Sequence, residues 1–199
     1  MSRIGLIFEC GPQGADKQVC EYLARRVRPD ADFVPRTLDN KPKLLDGAAR
    51  VARELLGDGC ERVLVIWDLR PAWPDKRHKP CRHAERATLL QALASENLSN
   101  APVFLVCVEQ ELESWLLADE HRLSAHLSTD AHRYSMQRVR APDRVGNPKS
   151  VVMAHFKNAR GWRYEDRVHA YQVVSQGGGS DLARLRRSAS FARFEAKLC

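Results

Sequence analysis

Carboxylates end three apolar runs in this 199-residue chain: Glu9 follows GLIF, Asp68 follows VLVIW, and Glu109, Glu111 and Glu113 come in quick succession after VFLVCV. Runs this apolar suit strands covered on both faces, as in parallel α/β sheets, whose ligands gather outside the strands' carboxyl ends. Parallel neighbouring strands would deliver all of these acids to one edge. Clustered carboxylates repel one another, and a hard divalent cation stabilises their simultaneous ionisation. With Glu9 as general base or ligand, Asp68 as a ligand and a glutamate of ELES, Glu111 or Glu113, completing the site, Mg²⁺ or Mn²⁺ held there would activate water or neutralise a phosphodiester oxygen.

A plainer reading stands beside this one: each acid caps a following helix or pairs with a nearby arginine, and for Glu109 or Glu113 taken singly it is the stronger. Trp115 in ESWLLAD, with Leu112 and Leu116 at helical spacing, reads as core, whereas Trp73 in the basic loop is the better candidate for base stacking. His155 reads as structural. ECGPQGAD lacks the GK[ST] ending of a phosphate loop. His78, Cys81 and His83 in HKPCRH lack a second pair at zinc-finger spacing, and the six cysteines contain no CxxC, so a reduced compartment without structural zinc is expected.

The elements that must position the acids follow from periodicity. Strands are predicted at Arg3 to Phe8, more weakly at Phe33 to Arg36, at VLVIWD and at VFLVCV; helices at Asp16 to Val27, at Lys43 to Leu56 with Gly57 as the C-cap, and along Ala87, Leu90, Leu93 and Ala94. EQELESWLLADEHRL continues the last strand into a helix. Strand–helix alternation of this kind argues for a parallel sheet with covering helices. Beyond residue 129 the pattern loosens into a polar loop, a helix from Lys149 to about Asn158, the turn SQGGGS, and two short closing helices, DLARLRR and SFARFEAKL. The expected organisation is an α/β domain over residues 1–128 and a basic loop and helical extension over 129–199 packed on it.

Charge follows the same division. Residues 131–199 carry 14 Lys and Arg against 5 Asp and Glu, and residues 1–130 carry 18 against 20, so the net +7 belongs to the C-terminal third. Such asymmetry suggests a surface that attracts phosphates or an acidic partner, and a solvated basic face is its ordinary counterpart. No apolar run approaches the roughly 20 residues that cross a bilayer, and the N-terminus is too short in apolar residues for a secretory signal, so a cytoplasmic protein is expected.

The order ECGPQGAD, VIWDLRP and VEQELESWLLAD, followed by NPK, RYED and a closing SASFARF, resembles domain-of-unknown-function family 4276, a bacterial family with a Toprim-like, Rossmann-like fold. The resemblance covers nearly the whole chain, and its most specific parts are ELESWLLAD at 111–119 and SASF at 188–191. It implies kinship in fold with the Toprim domains of topoisomerases, primases and overcoming-lysogenization-type nucleases, in which a Glu after the first strand and a D-x-D pair after a later one bind Mg²⁺ and act on nucleic-acid phosphates. Glu9 matches that Glu and Asp68 the first Asp of the pair; Arg70 stands where the second would be, which leaves Asp75, Glu111 or Glu113 to substitute for it.

The implied activity is Mg²⁺-dependent phosphodiester hydrolysis on DNA or RNA in a bacterial defence-type module. Arg70, Lys76, Arg77, Lys149, Arg160 and Arg163 are the cations expected to meet phosphates. Arg70 equally suits a non-catalytic subunit that binds nucleic acid or a partner ATPase, because a guanidinium grips phosphate without ligating metal. A nucleotide or small-molecule phosphotransfer enzyme ranks last, for want of a nucleotide fingerprint.

Overall fold

A computed structural model describes residues 2–71, 79–176 and 182–199. Among these residues four strands, β1 (Ser2–Phe8), β2 (Ala31–Thr37), β3 (Arg62–Asp68) and β4 (Val103–Val108), form an all-parallel sheet in the order β2-β1-β3-β4. Helices α1 (Ala15–Val27), α2 (Lys41–Gly57) and α3 (Arg82–Ser95) make the crossovers, and α4 (Glu113–Ala118), α5 (Glu120–Leu127), α6 (Pro148–Arg160), α7 (Asp166–Ser175) and α8 (Ala189–Leu198) follow β4. The result is a Rossmann-like α/β fold with a helical C-terminal region. No helix among the described residues is long and apolar enough to cross a membrane.

The two-residue period of a strand explains the layering. Ile4, Leu6 and Phe8 of β1 face a core built with α1 and the C-terminal helices, whereas Ile7 faces one built with α2 and α3. Strand β2 carries Pro35 and Arg36 and lies at the sheet edge, where a missing N–H is tolerated. Residues 129–199 share the first core: Val152, Phe156, Ala170, Val173, Phe191 and Phe194 are buried with residues of α1 and α4.

Four helix assignments differ from the periodicity reading, each for a local reason. Gly57 closes the last turn of α2 rather than capping it; the cap is Asp58, and Gly59 takes the left-handed conformation with φ +89°. The run ELESWLLADEHRL breaks in two at Asp119, whose carboxylate accepts the Arg122 backbone N–H and so starts α5 afresh. Helix α7 was not anticipated, because its buried Ala170, Val173 and Val174 make a short patch rather than a long apolar stripe. DLARLRR gives only a single 3-10 turn over Leu185–Arg187 among its described residues.

The two most specific sequence motifs dock on each other. Trp115 of ELESW is fully buried, donates its indole N–H to Ser190 Oγ at 2.8 Å, and packs edge-on against Phe191 at 5.3 Å between centroids. Ser188 and Ser190 are in turn held by Asp143, which accepts their hydroxyls at 2.7 and 3.2 Å and the Ser190 N–H at 2.9 Å. The closing SASF therefore fixes the helix that carries Glu113.

Candidate functional site

Strand order reverses between β1 and β3: the chain leaves β1 for β2 on one side and returns to β3 on the other. A crevice outside the carboxyl ends at such a reversal is where open α/β sheets bind ligands. Glu9 follows the last residue of β1 and Asp68 ends β3, so these two carboxylates flank the reversal. Both are deeply set and half-satisfied. The Asp68 N–H donates to Glu9 and the Leu112 N–H donates to Asp68 Oδ2 at 3.2 Å, yet Glu9 Oε2 and Asp68 Oδ1 are buried with no hydrogen-bond partner among the described residues.

Burial is the main force on both groups. It pushes the Glu9 carboxyl up to about 8, with Asp16 and Glu85 adding to the rise and Lys41 opposing it. Asp68 is pushed well above the ordinary carboxylate range by burial and then by the charges of Asp16, Glu9 and Glu113. Glu113, 3% exposed at the start of α4, is raised to about 7 by burial, against the pull of Lys149. Asp16, in the first turn of α1, is raised to about 6 by burial, with Asp166 and Glu111 contributing.

The acids thus form one electrostatically coupled group at the sheet edge: Glu9, Asp68, Glu111 and Glu113, together with Asp16 and Asp166. The last two were not singled out from sequence, although GAD and RYED lie in the motifs that carried the resemblance. What hides them is sequence distance, since Asp166 opens α7 and reaches the site only because the chain turns at Gly161, φ +66°, and runs back along α6. Cys10 borders the group, its thiol pushed up to about 12 by burial and by Asp16. Gly14 makes room for Cys10: a Cβ at position 14 would meet Cys10 Cβ and Sγ at 2.4 Å.

Two lysines balance part of this negative charge. Lys149, expected among the phosphate-binding cations, points into the cluster: its Nζ lies 2.5 Å from Asp166 and 3.9 Å from Glu113, and its backbone N–H donates to Glu111 at 3.4 Å. Lys41 was missed altogether. It is 5% exposed, and its Nζ donates to Leu69 O at 3.0 Å, Pro71 O at 2.8 Å and Glu85 at 3.3 Å, while Glu85 also accepts the Trp67 indole N–H at 2.8 Å. This buried network pins the turn that leaves Asp68, and a cavity of about 430 Å³ opens beside it, lined by Glu9, Asp16, Asn40, Lys41 and Pro71 among others.

The remaining candidates are placed as follows. Glu109 is paired with Arg82 at 2.5 Å and Arg193 at 2.7 Å, in keeping with the plainer reading of that residue. Arg70 is exposed at the lip of the edge and donates to the Gln110 side chain at 2.8 Å. Arg160 ends α6, roughly 16 Å along the helix from Lys149 at 1.5 Å per residue, and Arg163 lies in the segment that follows Gly161. Lys76 and Arg77 lie outside the described residues, as do Trp73, Asp75 and His78.

Hard carboxylate oxygens, two of them buried and unpartnered at adjacent strand ends, fit Mg²⁺ or Mn²⁺ in donor chemistry. Among the described residues no three His, Cys, Asp or Glu side chains are gathered at metal-ligand spacing. Mg²⁺ keeps several waters and is usually held by one or two carboxylates plus substrate phosphates, so a two-carboxylate site suits it better than an ion that needs a closed protein cage.

Fold and site together define a Rossmann-like α/β protein with a buried carboxylate pair at its strand-order reversal. The sequence profile of a family described as a domain of unknown function, DUF4276, matches residues 14–199, and the chain belongs to this family. No curated protein and no solved structure matches the chain.

Proposed function

We propose that this protein is a Toprim-like Mg²⁺- or Mn²⁺-dependent protein that acts on nucleic acid, with hydrolysis of a phosphodiester as its reaction. The observation that carries the reading is the pair of buried oxygens, Glu9 Oε2 and Asp68 Oδ1, unpartnered among the described residues at the carboxyl ends of two paired strands. Burying a carboxylate oxygen with no partner is costly, and a site that keeps two of them at one edge is poised for a cation. Glu9 and Asp68 would hold the ion, which supplies charge neutralisation at a phosphate oxygen and a more acidic water.

The chain's own groups divide the remaining work. Glu9 is either a ligand of the ion or, where Asp68 holds the ion with a glutamate of ELES, the general base; burial raises its carboxyl to about 8 in the metal-free chain. Glu113 and Asp16, raised to about 7 and about 6, add negative charge close by, and Lys149 holds Asp166 and orients the Glu113 side of the site. Exposed Arg70 at the lip would steady a phosphate bidentately. We place this activity in a cytoplasmic bacterial defence-type module.

Arg70 also favours a second reading. A guanidinium at the position of the second Asp removes a ligand and suits a non-catalytic subunit that grips DNA or RNA, or a partner ATPase, without cutting. Titration with Mg²⁺ and Mn²⁺ by calorimetry, alongside Asp68→Asn, tests the metal site: saturable binding that vanishes in the variant is expected. Cleavage assays on single- and double-stranded DNA and RNA then separate the two readings. Metal-dependent cleavage that persists in a Glu9→Gln, Asp68→Asn double variant would refute the assignment, and metal and nucleic-acid binding without any cleavage would select the subunit.

A further inference from the structure

The C-terminal region carries a surface that the acidic site does not explain. After Gly161 the chain runs back along α6, and a groove of about 340 Å³ lies between helix and return segment, lined by Met153, Lys157, Trp162, Arg163 and Tyr164 among others. Met153 and Trp162 are 42% and 44% exposed, large apolar side chains left at the surface side by side. Exposed apolar area gathered in this way marks an interaction site more often than a scattered single residue does.

The groove's chemistry selects its occupant. Arg160 donates to the Ser128 carbonyl at 2.9 Å and sets its guanidinium carbon over the Trp162 indole, 4.0 Å from the ring centroid, while the His169 ring is inclined 24° to the indole at 6.4 Å. Lys157 and Arg163 add two exposed cations to the lining, and no acid is among the described residues that line it. A fixed cation–aromatic stack flanked by further cations matches the way single strands are bound, with bases stacked on aromatic or guanidinium planes and the backbone tracked by positive charge. An acidic peptide would use the cations but leave the exposed indole and thioether without a partner.

We infer that this groove is a stacking platform for unpaired bases of single-stranded nucleic acid, with Arg160 and Trp162 as the platform and Lys157 and Arg163 as phosphate contacts. Tyr164, buried among the lining residues, packs on Phe156 at 5.0 Å between centroids and backs the groove. The inference deepens the nucleic-acid reading above and rests on it.

Fluorescence anisotropy with a labelled 20-nucleotide oligothymidine, at low and at physiological salt, tests it in the full chain. Trp162→Ala should weaken binding by about fivefold or more, the scale of one lost base stack, while Trp162→Phe retains most of it. Lys157→Gln should flatten the salt dependence. Unchanged affinity in Trp162→Ala, no binding by the wild type, or displacement by polyglutamate as efficient as by unlabelled oligothymidine would each overturn the inference. Calorimetric Mg²⁺ titration of Trp162→Ala should match wild type, so loss of the groove and loss of the metal site are separately visible.

Discussion

Replacing Lys41 with methionine is the sharpest test of how the site is held. The side chain is 5% exposed and its pair partner Glu85 is 6% exposed, so the change leaves a carboxylate in the interior with the Trp67 indole N–H as its remaining side-chain partner among the described residues. It also removes the donor from Leu69 O and Pro71 O in the turn that follows Asp68. Breaking a buried pair by deleting one member costs about 3–5 kcal/mol. At about 2–4 °C per kcal/mol for a chain of this size, the melting temperature should fall by roughly 10 °C.

Two further readouts make that outcome specific. Lys41→Met, Glu85→Gln should be more stable than Lys41→Met alone, because removing the second charge relieves the uncompensated burial. Lys41 is also the cation that opposes the rise at Glu9, whose other facing charges are Asp16 from α1, Asp68 from β3 and Glu85 from α3. Its loss should therefore push the Glu9 titration above about 8, read by carboxyl NMR on isotope-labelled protein. A Lys41→Met variant within about 1 kcal/mol of wild type in chemical denaturation, or a double variant no more stable than the single, would refute the reasoning.

Other outcomes follow from the same geometry. Glu9, Glu113 and Asp16 are raised to about 8, 7 and 6, so the folded chain keeps protons that the unfolded chain releases above its ordinary carboxylate range. Metal-free stability should fall between about pH 4.5 and 8, by up to about 1.4 kcal/mol per pH unit for each proton, and Glu9→Gln should flatten that fall. Mg²⁺ should raise the melting temperature more at pH 8 than at pH 5.5, since binding must displace those protons; equal shifts at both values would count against the site. Gly14→Ala should cost about 1–3 kcal/mol, because its Cβ would lie 2.4 Å from Cys10 Cβ and Sγ, and adding Cys10→Ala should leave part of that cost in place through the remaining Cβ clash. Denaturation curves of the two variants check both statements.

Much of the architecture was legible in the chain alone. Strands β1, β3 and β4 announce themselves because a strand buried on both faces must be apolar throughout, and helices α1, α2 and α6 because one face of each must be. Glu9 and Asp68 stand out because a carboxylate directly after such a run has no packing reason to be there. The family membership was likewise carried by motifs, and the structure gives ELESW and SASF a physical meaning as the two halves of one buried contact around Trp115.

Tertiary structure alone decided what surrounds those two acids. Lys41 looks like an ordinary first-turn lysine until α2 packs it against the β3 turn and Glu85, 44 positions away. Lys149 looks like one more cation in a basic third, yet the return of the chain along α6 places Asp166 against it and turns it inward. Periodicity reports which face of an element is buried, because that depends on the residues of the element itself. Which charges meet across elements depends on crossovers and reversals that lie tens of residues apart, and no local pattern encodes them.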